Sequence, residues 1–238
     1  MFKNHNALNK NLDVGPLDLD HISNMRMEFF ERLDYEWWKQ VEEGDVVVDV
    51  GACVGFFTTY ALDHGASKVY AIEPNKELLK LVLKNGFDYI VDNNECPIVP
   101  IHAAIGNNTN HVQHVYDGGS EFPLISFKDF VIKYDIQKID YLKVDCEGGE
   151  YSFLNAENLV WISKNVKHIA LEVHLRASES SKEDFIRFRD DFLHYFFERG
   201  QVNFMNSKYK KTIWDNDAIF NEDYESVPAE FMIYITNN

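Results

Sequence analysis

The chain has 238 residues, 45% hydrophobic and 26% charged, with 23 Lys and Arg against 39 Asp and Glu for a net charge of −16. That composition fits one soluble globular domain with a full core, and the acidity argues against general binding to nucleic-acid phosphates or anionic membranes. No apolar stretch approaches the ~18 residues of a membrane span, and Cys53, Cys96 and Cys146 form no CxxC pair, which reads as reduced thiols in a cytoplasmic protein.

Residues 1–20 are polar, without the apolar run of a signal peptide, and read as an arm. Ile22, Met25, Phe29, Leu33, Trp37 and Val41 recur at helical spacing. They predict an amphipathic helix over 22–42, ended at Gly44, that either packs on a sheet or covers a ligand. Strands are then expected at 45–50, 68–73, 97–103, 139–145 and 167–174, and helices at 55–64, 75–85, 126–134, 149–162 and 182–199. Such alternation, with nearly continuous apolar strands, argues a parallel sheet covered on both faces. Residues 106–125 form a polar excursion with room for a short strand at 111–116. Residues 201–236 read as antiparallel strands near 201–206, 211–214 and 229–236. The organisation expected is an arm and helix at 1–43 followed by one α/β domain at 44–238.

Four segments carry chemistry. The first is Val46-Val47-Val48-Asp49-Val50-Gly51-Ala52-Cys53-Val54-Gly55, a β-branched run that ends in a carboxylate and a glycine turn before the helical Phe56. Glycine lets a ligand approach the backbone, and the following helix aims free N–H groups at it. In the dinucleotide fingerprint G-x-G-x-x-G, the second and third glycines fall on Cys53 and Phe56, which disfavours a pyrophosphate here. The second segment ends a strand at Glu73-Pro74, where an acid can accept hydrogen bonds from both hydroxyls of a ribose. The bland alternative is that Glu73 caps the next helix.

The third segment is Asp140-Tyr141-Leu142-Lys143-Val144-Asp145-Cys146-Glu147-Gly148-Gly149-Glu150. Strand alternation puts Lys143, Asp145 and Glu147 on one face. If the strands carrying Gly51 and Asp145 are neighbours, the two flank a ligand-binding switch point; Glu150 reads rather as a structural acid. The fourth closes a strand at Glu172-Val173-His174, with Glu172 and His174 sharing a face.

In order, these segments resemble the FkbM family of S-adenosylmethionine-dependent methyltransferases. The likeness runs from about Val46 to His174. It rests on VVDVGACVGFFT, YAIEPNKELLKLVLKN, HAAIGN, LISFKDFV, and above all DYLKVDCEGGEYSFL followed by IALEVH. The resemblance implies a class I Rossmann-like fold: a mostly parallel seven-stranded sheet with a C-terminal antiparallel hairpin, here with an N-terminal helical extension. It assigns Asp49, Gly51, Ala52, Cys53, Val54, Gly55 and Phe56 to the methionine end of the cofactor. Glu73 and Pro74 fall to the ribose and base, Ala103 or Ala104 to the adenine, and Asp145 to the junction with substrate. Cys53 departs from the small polar residue common there, and Lys128 from the first acid of a Thr-Leu-Asp-Asp pattern.

The activity implied is O-methylation of a sugar, glycan or small hydroxylated metabolite. A hydroxyl needs help to lose its proton. His174 is the leading base with Glu172 orienting it; Asp145 can be the base instead, or Asp145, Glu147 and Glu172 can hold Mg²⁺. Rival readings are a nicotinamide-dependent sugar enzyme and a catalytically idle binding module. The acceptor pocket is expected from the N-terminal helix, the 106–125 excursion and the C-terminal hairpin. Trp37, Trp38, Tyr116 and Trp214 are available to stack on a sugar, though core packing is the ordinary role of each. Oligomeric state is not encoded in any readable pattern.

Overall fold

Valine-rich β1 (Val46–Val50) is an interior strand, third from one edge, of a seven-stranded sheet in the computed structural model. The structure describes residues 12–17, 19–31, 33–89, 96–106, 122–175, 181–205, 219 and 230–237. The other large-sheet strands are β2 (Lys68–Ile72), β3 (Ile98–Ile101), β6 (Ile139–Val144), β7 (Val166–His174), β8 (Val202–Met205) and β9 (Glu230–Thr236). Two-residue strands β4 (Ala104–Ile105) and β5 (Leu124–Ile125) pair separately.

The sheet order is β3-β2-β1-β6-β7-β9-β8. All pairs from β3 to β7 are parallel, and β9 runs antiparallel to both β7 and β8. The chain moves outward from β1 to β3, then restarts on the other side of β1 at β6. The C-terminal ends of β1 and β6 therefore flank the switch point where open α/β sheets bind ligands.

Alternation along β1 sends Val47 to one face and Val48 to the other, both fully buried. On the Val47 face lie Phe56, Phe57, Tyr60 and Ala61 of α2 (Phe56–Asp63) and Leu78, Leu79 and Val82 of α3 (Lys76–Asn85). On the Val48 face lie Phe127 and Phe130 of α4 (Phe127–Lys133), Ile162 of α5 (Ala156–Asn165), and the stripe Phe185, Phe188, Phe192 and Phe196. That stripe spans α6 (Ser181–Phe188), a π-helical turn (Arg189–Leu193) and α7 (His194–Phe197). Each such aromatic burial contributes roughly 1.5–3 kcal/mol.

Two expected helices differ. The N-terminal helix is short: α1 (Leu19–Arg26) runs into a π-helical turn (Met27–Glu31), and Leu33 takes φ +58°. Asp34 N–H then closes back on the Glu28 carbonyl at 2.9 Å, so residues 34–38 are turns. Gly44 ends no helix; it sits at φ +88° in the turn leading to β1. The helix expected over 149–162 is a 3₁₀ turn (Glu150–Ser152) followed by α5, whose N-cap Asn155 accepts from Glu157 and Asn158 N–H. The strands expected at 111–116 and 211–214, with Tyr116 and Trp214, lie outside the described residues. No helix among the described residues is long and apolar enough to cross a membrane.

Candidate active site

The turn after β1 is pinned to the strands on either side of it. Gly51 and Ala52 N–H both donate to the Ile72 carbonyl at 3.0 Å, and Asp145 N–H donates to the Val50 carbonyl at 3.1 Å. Gly51 has φ +77°, and a Cβ there would lie 1.7 Å from the Asp145 carbonyl oxygen. Only glycine fits so close an approach. Gly55 serves packing instead: at φ +93°, its missing Cβ leaves room for Val82 of α3, 3.1 Å away. Cys53 takes φ +49°, a strained value for a non-glycine residue. Burial first, then the Glu73 charge, push its thiol up to about 12 and keep it neutral.

Glu73 is buried at the end of β2 and joins two backbone segments. Its Oε2 accepts from Cys53 N–H at 2.9 Å and its Oε1 from Asn75 N–H at 2.8 Å. The helix cap is Asn75, which accepts from Glu77 and Leu78 N–H, so Glu73 is not the cap of α3.

Lys143 lies at the centre of the site, its side chain 2% exposed. The register places it directly across from Asp49. Its Nζ donates to the Gly51 carbonyl at 2.8 Å and stands 3.3 Å from Asp49 Oδ1 and 3.6 Å from Asp145 Oδ2. Burial alone would lower this ammonium; the charges of Asp49 and Asp145 more than reverse it, so it stays protonated. Asp49 also accepts from Thr58 Oγ1 at 2.7 Å. Facing Lys143 and Thr58, it is a buried counter-ion behind the turn and is not among the residues that line the cavity.

Asp145 follows β6. Burial raises its carboxyl, but Lys143 and His174 charges and the Tyr35 and Lys143 hydrogen bonds bring it below the ordinary value. Glu172, on β7, is turned to Tyr35, whose hydroxyl stands 2.6 Å from Glu172 Oε2 and 2.9 Å from Asp145 Oδ2. Burial, then the Asp145 charge, push the Glu172 carboxyl up to about 8.

His174 closes β7 among three acids. Its Nδ1 is 3.4 Å from Glu150 Oε1, and its Nε2 is 3.6 Å from Glu147 Oε2 and 3.9 Å from Asp145 Oδ1. Burial would lower the imidazole, but the hydrogen bond and charge of Glu150, then Asp145 and Glu172, hold it well above the ordinary histidine value. An imidazole held toward its protonated form is a poor acceptor for a substrate proton. Its supposed orienting partner, Glu172, is engaged by Tyr35. Glu150 is structural: it accepts Gly148 N–H at 2.8 Å and His174 N–H at 2.9 Å, tying the glycine turn to β7.

The expected metal set of Asp145, Glu147 and Glu172 does not assemble. Asp145, Glu147 and His174 bring ligand atoms within 4.8 Å of one another. Two carboxylates plus an imidazole nitrogen are not the all-oxygen set that Mg²⁺ takes in octahedral geometry.

These groups line a cavity of about 520 Å³ whose wall includes Gly51, Ala52, Cys53, Phe56, Glu73, Pro74, Ala103, Ala104, Asp145, Glu147, Glu172 and His174. Asp49, Val54 and Gly55 lie behind that wall. The N-terminal segment roofs it with Leu17, Asn24, Met25, Glu28 and Phe29. Phe29 stacks on Tyr35 at 4.7 Å and on Phe56 at 6.0 Å, so this segment both packs and covers. Lys143 and Tyr35 were missed as site residues. The first was signalled by a lone lysine in an apolar strand; the second fell outside the helical stripe used to read that segment.

A family model described as the methyltransferase FkbM domain matches residues 49–201. Among solved structures, the chain is similar to a methyltransferase FkbM from Methylobacillus flagellatus at 15% identity and a TM-score of 0.53, covering 89% of this chain and 47% of that one. It thus spans about half the length of that protein. It is also similar to a putative methyltransferase from Streptococcus mutans in complex with SAH, at 12% identity, a TM-score of 0.49, and 88% and 97% coverage. A putative rRNA-methylase from Clostridium thermocellum aligns at 10% identity, a TM-score of 0.47, and 94% and 99% coverage. No curated protein matches the chain. The mixed sheet with its antiparallel C-terminal strands is the class I methyltransferase sheet.

Proposed function

The chain belongs to the FkbM methyltransferase family, and from that premise we propose that it uses S-adenosylmethionine to methylate a hydroxyl of a sugar, glycan or other small metabolite. The observation that carries this reading is a single cavity joining the Gly51 turn, Glu73 and the Ala103–Ala104 segment to Asp145. Its chemistry fits a cofactor without phosphates. Among the described residues its wall holds no arginine, and its one lysine is already bonded to the Gly51 carbonyl. The Gly51 turn would receive the methionine end, Glu73 the ribose hydroxyls, and Ala103 and Ala104 the adenine. Bound there, the cofactor supplies an electrophilic methyl carbon on a cationic sulfonium.

The remaining chemistry is positioning and proton removal. Asp145 is the residue we assign to the acceptor proton. Its carboxyl is held ionised, it lines the cavity, its Oδ2 is occupied by Tyr35, and its Oδ1 stands 3.9 Å from His174 Nε2. A weak base suffices, because a hydroxyl becomes strongly acidic as its oxygen bonds to carbon, so the proton leaves late in the step. His174, protonated, balances the acids at the acceptor end.

Titration calorimetry with S-adenosylmethionine, its demethylated product and NAD tests the cofactor assignment. The first two should bind and NAD should not; NAD binding without a response to S-adenosylmethionine would return the chain to the nicotinamide reading. A methyl-transfer screen across nucleotide sugars, glycans and hydroxylated metabolites then finds the acceptor, and no transfer to any acceptor class would favour an idle binding module.

With an acceptor in hand, His174→Asn should cost less than the ~10²–10⁴-fold that loss of a general base costs. The kcat/KM profile of the native chain should show no inflection near the ordinary histidine value of about 6.5. An inflection there, lost in the variant, would restore His174 as the base. In the same assay a chelator should leave turnover unchanged; loss that Mg²⁺ restores would return the metal.

A further inference from the structure

Tyr35 lies outside the segment that the family model matches, yet it is 2% exposed and its hydroxyl ends among the acids of the cavity. Its place is fixed from two sides. The Tyr141 hydroxyl of β6 donates to the Tyr35 carbonyl, and the Tyr234 hydroxyl of β9 donates to the Asp34 carbonyl. Its ring is held by Phe29, Phe57 and the Lys143 ammonium, 5.6 Å from the ring centre.

The Tyr35 oxygen is 2.6 Å from Glu172 Oε2 and 2.9 Å from Asp145 Oδ2, and a phenol has one hydrogen to donate. Were both carboxylates ionised, one of these contacts would set lone pair against lone pair where burial magnifies the repulsion. A proton on one of the acids removes the conflict, because that acid then donates to the phenol oxygen. Its location follows from the neighbours. Asp145 has Lys143 at 3.6 Å and His174 at 3.9 Å, both cations that favour its ionised form. Glu172 faces the like charges of Asp145 and of Glu28 on the N-terminal segment, with His174 on its own strand as the opposing cation. Across the antiparallel ladder it meets Met232, and Tyr234 beside it is uncharged.

We infer that Glu172 is a neutral acid that donates to the Tyr35 oxygen, while Tyr35 donates its own hydrogen to Asp145, so that the N-terminal segment positions the carboxylate of the methyl-transfer site. Tyr35 is thus a positioning residue, and Glu172 is neither base nor metal ligand. The chain of two hydrogen bonds occupies Asp145 Oδ2 and leaves Oδ1 for the acceptor. What Asp145 does with that oxygen rests on the methyl-transfer reading; the proton on Glu172 does not. The upward displacement of the Glu172 carboxyl, caused by burial and then Asp145, agrees with the geometry.

The test needs no acceptor. The 238-residue chain labelled with ¹³C at Asp and Glu carboxyls is titrated by NMR as native chain, Y35F and E172Q. At pH 7 the native chain should show a protonated glutamate carboxyl that disappears in E172Q. In Y35F the Asp145 midpoint should move up by about one unit, because its ionised form has lost a donor. The phenylalanine ring keeps the contacts with Phe29 and Phe57, so the variant should fold.

Thermal stability gives a second readout. Between the ordinary glutamate value and about 8, the folded chain binds a proton on Glu172 that the unfolded chain does not, so stability falls as pH rises through that window. E172Q should flatten this slope. An ionised Glu172 at pH 7 would overturn the proposal, as would an Asp145 midpoint unmoved in Y35F with only a lower melting temperature. Failure to bind S-adenosylmethionine in calorimetry would overturn the function but leave the proton on Glu172 standing.

Discussion

Gly51→Ala is expected to abolish S-adenosylmethionine binding while leaving a chain that still unfolds cooperatively, at a lower temperature. The added methyl would lie 1.7 Å from the Asp145 carbonyl oxygen and 2.9 Å from its carbon. Both are backbone atoms, so no rotamer change relieves the clash. The ends of β1 and β6 must separate, which breaks the 3.1 Å bond from Asp145 N–H to the Val50 carbonyl and displaces the Asp145 carboxylate. Alanine must also hold φ +77°, which favours glycine. Overpacking costs about 1–3 kcal/mol, and the strained backbone adds about 1 kcal/mol more.

Gly55→Ala is the control within the same turn. Its Cβ would meet Val82 on α3 at 3.1 Å, behind the cavity wall, so it should lower the melting temperature yet keep cofactor affinity within about tenfold, short of the ~1.4 kcal/mol that a decade represents. Calorimetry and thermal melts on both variants check the contrast. Native affinity in Gly51→Ala would mean that the cofactor sits elsewhere.

What could be read in the chain tracks how local each determinant is. β1, β2, β6 and β7 were legible because a short apolar run ending in a polar or turn residue needs no distant partner to be recognised. The N-terminal helix was overdrawn because Leu33, Trp37 and Val41 continue the helical period past its true end. Burial there is achieved by a turn, closed by the Glu28 carbonyl and held by Tyr141 and Tyr234, 106 and 200 residues from the carbonyls they bond. Asp49 was legible as a carboxylate at a strand end, but its ion pair was not. Only the β1–β6 register shows that a lysine stands opposite it and takes its charge. The charge state of His174 is likewise set in part at a distance: Glu150 and Asp145, which favour its protonated form, lie near it in space and 24 or more residues away in sequence. Tyr35 carried no motif at all.

Lys143→Met should be the most damaging single substitution in the site. Methionine matches the length of the stem, so the loss is one of charge rather than volume. The lysine Nζ holds the Gly51 carbonyl at 2.8 Å and the Val50 carbonyl at 3.3 Å, and stands between Asp49 and Asp145. Asp49 Oδ1 is buried and has no hydrogen bond, so Lys143 is its compensating charge. Removing one partner of a buried pair costs about 3–5 kcal/mol, because the other is stranded in a medium that solvates it poorly. That is a large part of the ~5–15 kcal/mol by which domains are stable. The variant should therefore unfold at markedly lower urea, and lowering the pH, which protonates stranded carboxylates, should narrow its gap to the native chain. Asp49→Asn in the same background removes the stranded charge and should recover about half of the loss. Cofactor binding should not return with it, since the Gly51 carbonyl still lacks its donor and Asp145 its cation. Stability of Lys143→Met within about 1 kcal/mol of native, the ordinary yield of an exposed ion pair, would show that the buried lysine does not hold this turn together.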